Sequence, residues 1–407
     1  MLSRSQTLIE CSQERLENQS PVLAAKRVGI VEGPNASRMG CPSRMDIDGF
    51  ELKPLRTIPV HRLGNEDRFW SFSQLSADAS YDLVHATNTI PLNARRFVVS
   101  FDDDPANRTE TGKPWQERLG ARILSSPSCR AITTQSEIAK RQLVDRYLSL
   151  GMTEAAKKVI VYRGMVVDDY REPRTISEVD SRRARCEETN GPLRLIFVAE
   201  DALGMGLLPT LDACESLRAG GMDIRLTIVS TLICGVDTVL GRFAPSHESL
   251  HNRIRSADWV THWAPPSRRR VSQLFALNDL IVMPALDNAF GWQLIDAGMQ
   301  GCPAITTNVY SLPEIVENEQ TGLVISLPKN KSEGWAGSSI ADSAKRDAVV
   351  DANHILRDQM TALIARLNFD RGQIRDLGMA ARAKMQLMFG QAAAAEQLRQ
   401  VYFNACC

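Results

Sequence analysis

Short, wholly apolar runs alternate with amphipathic stretches along most of the chain. The clearest case begins at Leu280–Met283 (LIVM), four apolar residues in a row, the pattern of a strand buried on both faces. Pro284 ends that run, and Asp287–Gly291 is a polar turn containing a glycine. Trp292–Met299 then places apolar residues at helical spacing until Gly301 and Pro303 stop it. Ala304–Thr307 predicts a second strand, Leu312–Val316 a helical turn, and Leu323–Ile325 a third strand entered through Thr321-Gly322. The unit is βαβ, with a polar loop at the carboxyl end of its first strand, which is where open α/β sheets bind ligands.

The same alternation runs through the rest of the chain. Arg27–Val31, Tyr81–His85, Phe97–Phe101, Ala131–Thr134 and Lys158–Tyr162 read as strands. Gly33-Pro34-Asn35 reads as a turn, and between Ser37 and Asp67 only Leu55–Val60 reads as a strand. A helix starting at Ser136, its N-cap, closes at Gly151. Met1–Ala25 is a polar tail, and Asp169–Asn190 is charged with almost no apolar periodicity, as expected of a linker. A second series follows, with strands at Leu193–Val198, Ile224–Ser230 and Trp259–Trp263 and helices at Leu207–Ala219 and Ser267–Leu277. Lys329–Lys345, rich in Gly, Ser and Lys, reads as an inserted surface loop, and the pattern from Val349 onward is helical. Strands alternating with helices predict an α/β fold with parallel sheets, and 407 residues are better divided between two cores than packed into one.

Composition narrows the function classes. The formal net charge is +0, which argues against a broad electrostatic affinity for nucleic acid or anionic membrane, although Arg268-Arg269-Arg270 form a local basic patch. No stretch reaches the roughly 18 apolar residues of a membrane helix, and the first twenty residues lack the apolar centre of a signal peptide. Nine scattered cysteines with no CxxC pair point to a reduced, cytoplasmic protein with buried thiols.

The stretch NAFGWQLIDAGMQGCPAITTNVYSLPEIVENEQTGLVI (residues 288–325) resembles the C-terminal half of retaining family-4 glycosyltransferases of the GT-B fold, the glycosyl transferases group 1. Phe290-Gly291, Asp296-Ala297, Gly301, Pro303, Pro313-Glu314 and Thr321-Gly322 stand in the family's order and spacing. The likeness extends back to LIFVAEDALGMGLLPTLDA (195–213) and forward to Tyr402, and is weak in the N-terminal half. It implies two Rossmann-like domains facing across a cleft. The parts would be a tail (1–25), an acceptor domain (26–170), a linker (171–190), a nucleotide-sugar domain (191–385) and a C-terminal helix (386–407) that crosses back to the first domain. It implies transfer of a sugar from a UDP- or GDP-sugar, bound as substrate with no tightly held cofactor or metal, to a glycan or lipid-linked acceptor. The implied location is the cytoplasm, with peripheral contact at the inner face of the membrane.

The resemblance also assigns roles. Backbone N–H groups of Ala289, Phe290 and Gly291 would face the sugar or diphosphate, and Asp296 would accept hydrogen bonds from the ribose hydroxyls. Asn288 stands at the family's first motif acid and would touch the sugar without carrying charge. The family's diphosphate-binding Arg and Lys fall at Glu200 and Met205, and its glycine after the second strand at Ser230. Arg163 or Arg268–Arg270 would have to supply the missing cations. By resemblance His85, or Thr87 in a shifted register, corresponds to a histidine near the donor sugar, but a strand-end histidine with a structural hydrogen bond is the reading the residue itself favours. Glu314 is expected to cap or pin its own short helix. Asp102–Asp104 resembles the metal-binding D-x-D of GT-A enzymes, but three acids after a strand also make an ordinary loop. The substitutions at Glu200, Met205 and Asn288 motivate an alternative, a weakened GT-B scaffold serving as a binding or partner subunit. A GT-B epimerase or phosphorylase is disfavoured.

Overall fold

A computed structural model describes residues 25–32, 42, 45–59, 72–75, 81–101, 114–166, 191–232, 245–288 and 290–407. The expected tail up to residue 24, the linker, the turn at 33–35 and Asp102–Asp104 lie outside these residues. The apolar runs become strands because both faces of each are covered. All four side chains of Leu280–Met283 have 0% exposure, each contributing about 2 kcal/mol of burial.

Two six-stranded sheets result. The first contains β1 (Lys26–Glu32), β2 (Phe50–Pro54), β5 (Leu83–Thr87), β7 (Phe97–Ser100), β8 (Cys129–Thr134) and β9 (Val159–Val161), in the order β2-β1-β5-β7-β8-β9. The second contains β10 (Leu193–Val198), β11 (Ile224–Val229), β12 (Val260–Trp263), β13 (Leu280–Met283), β14 (Ala304–Thr307) and β15 (Gly322–Ile325), in the order β12-β11-β10-β13-β14-β15. All pairings within both sheets are parallel. In the second sheet the chain winds outward from β10 through β11 and β12, then returns to β13 on the other side. The strand order therefore reverses between β10 and β13, and that reversal opens a crevice beyond their carboxyl ends.

The helices are α1 (Pro114–Ser125), α2 (Glu137–Ser149), α3 (Thr153–Ala156), α4 (Leu207–Ala219), α5 (His247–Ser256), α6 (Arg268–Leu277), α7 (Trp292–Met299), α8 (Leu312–Ile315), α9 (Asp342–Phe369), α10 (Arg371–Phe389) and α11 (Gln391–Cys406). The structure departs from the sequence expectations at several places. Leu55–Pro59, the described part of the expected strand Leu55–Val60, is not one strand. Phe50–Pro54 joins the first sheet, and β3 (Thr57–Pro59) pairs with β4 (Phe72–Leu75) in a small sheet completed by β6 (Ile90–Pro91). Lys329–Lys345 is not a plain surface loop, because Trp335, 5% exposed, anchors it in the core and α9 already starts at Asp342. The C-terminal helix breaks at Gly390, since the two halves serve different sheets. Gly298 of α7 lies against Met385 of α10, whereas Ala394, Leu398, Val401 and Tyr402 of α11 join Val28, Ile30, Leu83 and Val98 in the core of the first.

A buried polar chain fixes α11 in that core. His85 has 0% exposure, its Nδ1 lies 2.6 Å from the Tyr402 hydroxyl, and its Nε2 lies 2.7 Å from Ser100 Oγ, which continues to Thr133 Oγ1 at 2.6 Å. A neutral ring suits this arrangement, one nitrogen donating and the other accepting. Burial alone pushes the imidazole down to about 4. Replacing Tyr402 by Phe removes the partner of a fully buried nitrogen. The expected cost is about 2 kcal/mol in denaturant unfolding. An unchanged midpoint would mean that this contact contributes nothing.

Candidate nucleotide-sugar site

The loops after β10 and β13 meet at the crevice. The backbone N–H groups of Leu286 and Asp287 donate to the Gly204 carbonyl at 2.9 and 3.3 Å, so the two loops are hydrogen-bonded as a pair. Gly206 begins α4 with φ +86°, and a Cβ there would meet the carbonyl oxygen of Pro284 and lie 2.6 Å from its Cγ. Gly291 begins α7 with φ +86°, and a Cβ there would stand 2.7 Å from Leu312 Cδ2. Both turns need the conformation and the small volume of glycine.

Asn288 does not point outward to a free ligand position. Its Oδ1 accepts from the Phe290 N–H at 3.2 Å, and its amide faces Met205 Sδ at 3.1 Å and Met283 Sδ at 3.7 Å. Two positions where the sequence departs from the family pattern, Asn288 and Met205, thus touch each other. An amide against a thioether is a neutral contact needing no counterion, so the two departures are mutually compatible. The Phe290 N–H, expected to face a ligand, is used inside the loop, while its ring packs edge-on against Trp292 and Phe389. Ala289 lies outside the described residues.

The charge around this crevice is acidic. Asp201 Oδ1 accepts from the Leu203 N–H at 3.2 Å, and Glu200 beside it is exposed. Asp287 is reached by solvent yet recessed among protein atoms. That burial first, and the charge of Asp201 second, push its carboxyl above the usual range. Asp201 was given no role by the sequence, and its only signal there was adjacency to Glu200.

Of the basic residues proposed as substitutes, Arg268 Nη2 lies 3.4 Å from Asp296 Oδ1. Burial raises the Asp296 carboxyl, and the Arg268 charge and hydrogen bond oppose that rise. The guanidinium of Arg270 lies over the Trp263 ring at 5.1 Å. Ser230 is fully buried and its Oγ accepts from the Leu232 N–H at 3.0 Å, supporting a left-handed residue at φ +58°. Thr87 is also buried, at the end of β5. His85 is placed as the structural reading expects, with both ring nitrogens engaged by protein hydroxyls within the first sheet's core.

Glu314 differs from expectation in a way the sequence did not signal. It does not cap its own helix. Its Oε2 and Oε1 accept from the backbone N–H groups of Glu137 and Ile138, each at 3.0 Å, at the start of α2 beside the other sheet. Ser136 Oγ takes the next N–H, that of Ala139, at 3.0 Å. Arg163 Nη2 lies 4.0 Å from Glu314 Oε2, and Gln142 Nε2 donates to the Ser332 carbonyl at 2.6 Å.

The chain is similar to known proteins in sequence and in fold. The family of glycosyl transferases group 1 matches residues 190–336. The D-inositol 3-phosphate glycosyltransferase of Mycobacteroides abscessus is 32% identical over 319 residues, covering 75% of this chain and 65% of that protein. A protein of the same name from Streptomyces avermitilis is 24% identical over 276 residues, covering 65% and 55%. The chain thus spans less than two thirds of the length of these relatives. Among solved structures, Anabaena Alr3699/HepE in complex with UDP superimposes with a TM-score of 0.56 at 13% identity, covering 93% of this chain and 99% of that one. Sucrose-phosphate synthase from Thermosynechococcus elongatus gives 0.53 at 17% identity, covering 80% and 74%. At such identities these likenesses speak for the fold. Residues 190–336 thus match the glycosyl transferases group 1 family, within a chain that has a GT-B fold of two Rossmann-like sheets.

Proposed function

We propose that the protein transfers a sugar from a nucleotide-sugar to a glycan or lipid-linked acceptor, with retention of anomeric configuration. The observation that carries this reading is the crevice where β10 and β13 part, lined by the glycine turn at Gly291, the start of α7 and the half-buried carboxylate of Asp296. On this reading Asp296 accepts hydrogen bonds from the ribose, and Arg268, already beside it, turns toward the diphosphate. The loop 287–291 would flank the sugar. No protein nucleophile is required. The leaving diphosphate takes the acceptor's proton on the same face, and the protein contributes positioning and electrostatics. Among the described residues no helix is long and apolar enough to cross a membrane. On this reading a lipid-linked acceptor is met by peripheral contact at the membrane face.

Calorimetric titration with UDP-, GDP- and other common nucleotide-sugars tests the reading, starting with UDP because the HepE structure holds it. Binding should be measurable for one base, and Asp296→Ala should weaken it about tenfold through loss of charge-assisted hydrogen bonds. Absence of binding to any of them sinks the enzyme reading. The second reading, a GT-B scaffold that has lost catalysis, draws on the neutral Asn288–Met205 contact, on Glu200 and Met205 standing where the family's cations are expected, and on the acidic pair Asp201 and Asp287 nearby. Transfer that disappears in Asp296→Ala while the fold persists would dispose of it. Product analysis of the same incubation would reveal an epimerised sugar or a sugar phosphate.

A further inference from the structure

We infer that Glu314 is a positioning residue, a clasp that holds the donor loop of the second sheet's domain in register with the first by occupying the N-terminus of α2. This rests on the donor-site reading above and adds the part that sets the geometry of the cleft.

The first N–H groups of any helix lack partners within it. In α2 the first two are taken by the two oxygens of one carboxylate, which comes from 177 and 176 residues away, and the third is taken by Ser136. A carboxylate is the most favourable partner for that end of a helix, since it faces both N–H donors and the positive end of the dipole. Arg163, at the end of β9, adds a cation 4.0 Å from the same oxygen. The pair is partly shielded, with side-chain exposures of 27% for Arg163 and 21% for Glu314, so solvent screens it less than it would a surface pair.

The clasp reaches the donor loop through packing. Glu314 sits on α8, a single turn that begins at Leu312, and Leu312 fills the space a side chain at Gly291 would need. Ile315 of the same turn lies next to it, 3.5 Å from that Cβ position. A displacement of α8 away from α2 is therefore a displacement of the wall behind Gly291. The Gln142–Ser332 hydrogen bond ties a second loop of the second sheet's domain to α2.

Two substitutions reach the clasp from opposite sides. Glu314→Ala removes the acceptor. Glu137→Pro removes one donor and keeps the helix, because proline is well tolerated at the first helical position and Ser136 before it is already extended at φ −139° and ψ 162°. Hydrogen exchange followed by mass spectrometry on the full chain reads the effect without reference to catalysis. Glu314→Ala should speed exchange about tenfold in the peptide spanning Ile138–Lys140 and in the peptide spanning Phe290–Leu294, with the thermal midpoint little changed. In the same proteins UDP should bind about tenfold more weakly, and Glu314→Asp should recover part of that loss. The double variant should lose no more than the stronger single one, because both break one contact. Unchanged exchange in either peptide overturns the clasp, as does a double variant whose losses add. If the unmodified protein binds no nucleotide, the donor-site reading fails by itself, and the exchange at 138–140 and 290–294 still decides the clasp.

Discussion

Gly206→Ala should lower stability by about 3 kcal/mol in denaturant unfolding and should abolish most nucleotide binding. Two separate effects combine. The residue sits at φ +86° and ψ 35°, where a Cβ is disfavoured by sterics within its own residue. That Cβ would also collide with Pro284, meeting its carbonyl oxygen and standing 2.6 Å from Cγ, and a proline at the end of β13 has little freedom to yield. The chain must then separate the loop after β10 from the loop after β13, and the crevice is built from that contact. Gly221→Ala is the control. It has φ +88° with nothing within 4 Å of the added atom, so it keeps the first effect and lacks the second. Its expected cost is about 1 kcal/mol with nucleotide binding unchanged. Equal losses in the two variants would show that the contact with Pro284 is unimportant.

Acidification should destabilise the protein through His85, by about 3 kcal/mol between pH 6.5 and pH 4. In the folded chain the imidazole is pushed down to about 4 by burial, against an unperturbed 6.5. Between those values the unfolded chain holds a proton that the folded one does not, so stability rises with pH across the window. The full contribution is present above pH 6.5 and is lost as pH falls through the folded value. Its hydrogen-bond partners, Tyr402 and Ser100, keep their protons throughout that range, burial having driven the phenol further up. Unfolding curves at several pH values should therefore be steeper in pH for the unmodified protein than for His85→Gln. Parallel curves would mean that the ring is already charged in the folded state, or that its burial is relieved.

The second sheet was far more legible than the first, for a physical reason. Parallel strands covered on both faces need continuous apolar runs, and LRLIFV and LIVM have no other comfortable place in a soluble protein. Helices α4 and α7 were readable to the residue because glycine stands at both of their starts and apolar positions recur along one face. Helix α5, HESLHNRIRS, escaped notice because only Leu250 and Ile254 of its residues are buried, too few to set a period. The small sheet of β3, β4 and β6 escaped because its strands run from two to four residues.

The candidate site shows the same division. Its loop was visible in the pattern of the sequence, and the resemblance to the family picked out Phe290 and Gly291 in that loop and Asp296 on the helix that follows. Its contacts were not visible, because each joins residues remote in the chain. Asn288 meets Met205 across 83 residues, and Glu314 meets α2 across 177. Substitutions that look like two independent losses in a linear alignment turn out in space to be one neutral pair. No periodicity carries that information.

Helix α11 has a consequence for how the protein is made. Its residues Ala394, Leu398, Val401 and Tyr402 cover one face of the first sheet, and the buried ring of His85 finds its phenol there. A ribosome delivers that sheet early and its cover after everything else in the second sheet has emerged. During synthesis the first sheet therefore waits with an apolar face open and a buried-type histidine wet and ionisable, a state suited to chaperone capture and exposed to aggregation. Closure of the first sheet's core is timed by the arrival of α11, so a ribosome stalled before residue 394 should leave a nascent chain with an unfinished core there, whatever the length already made.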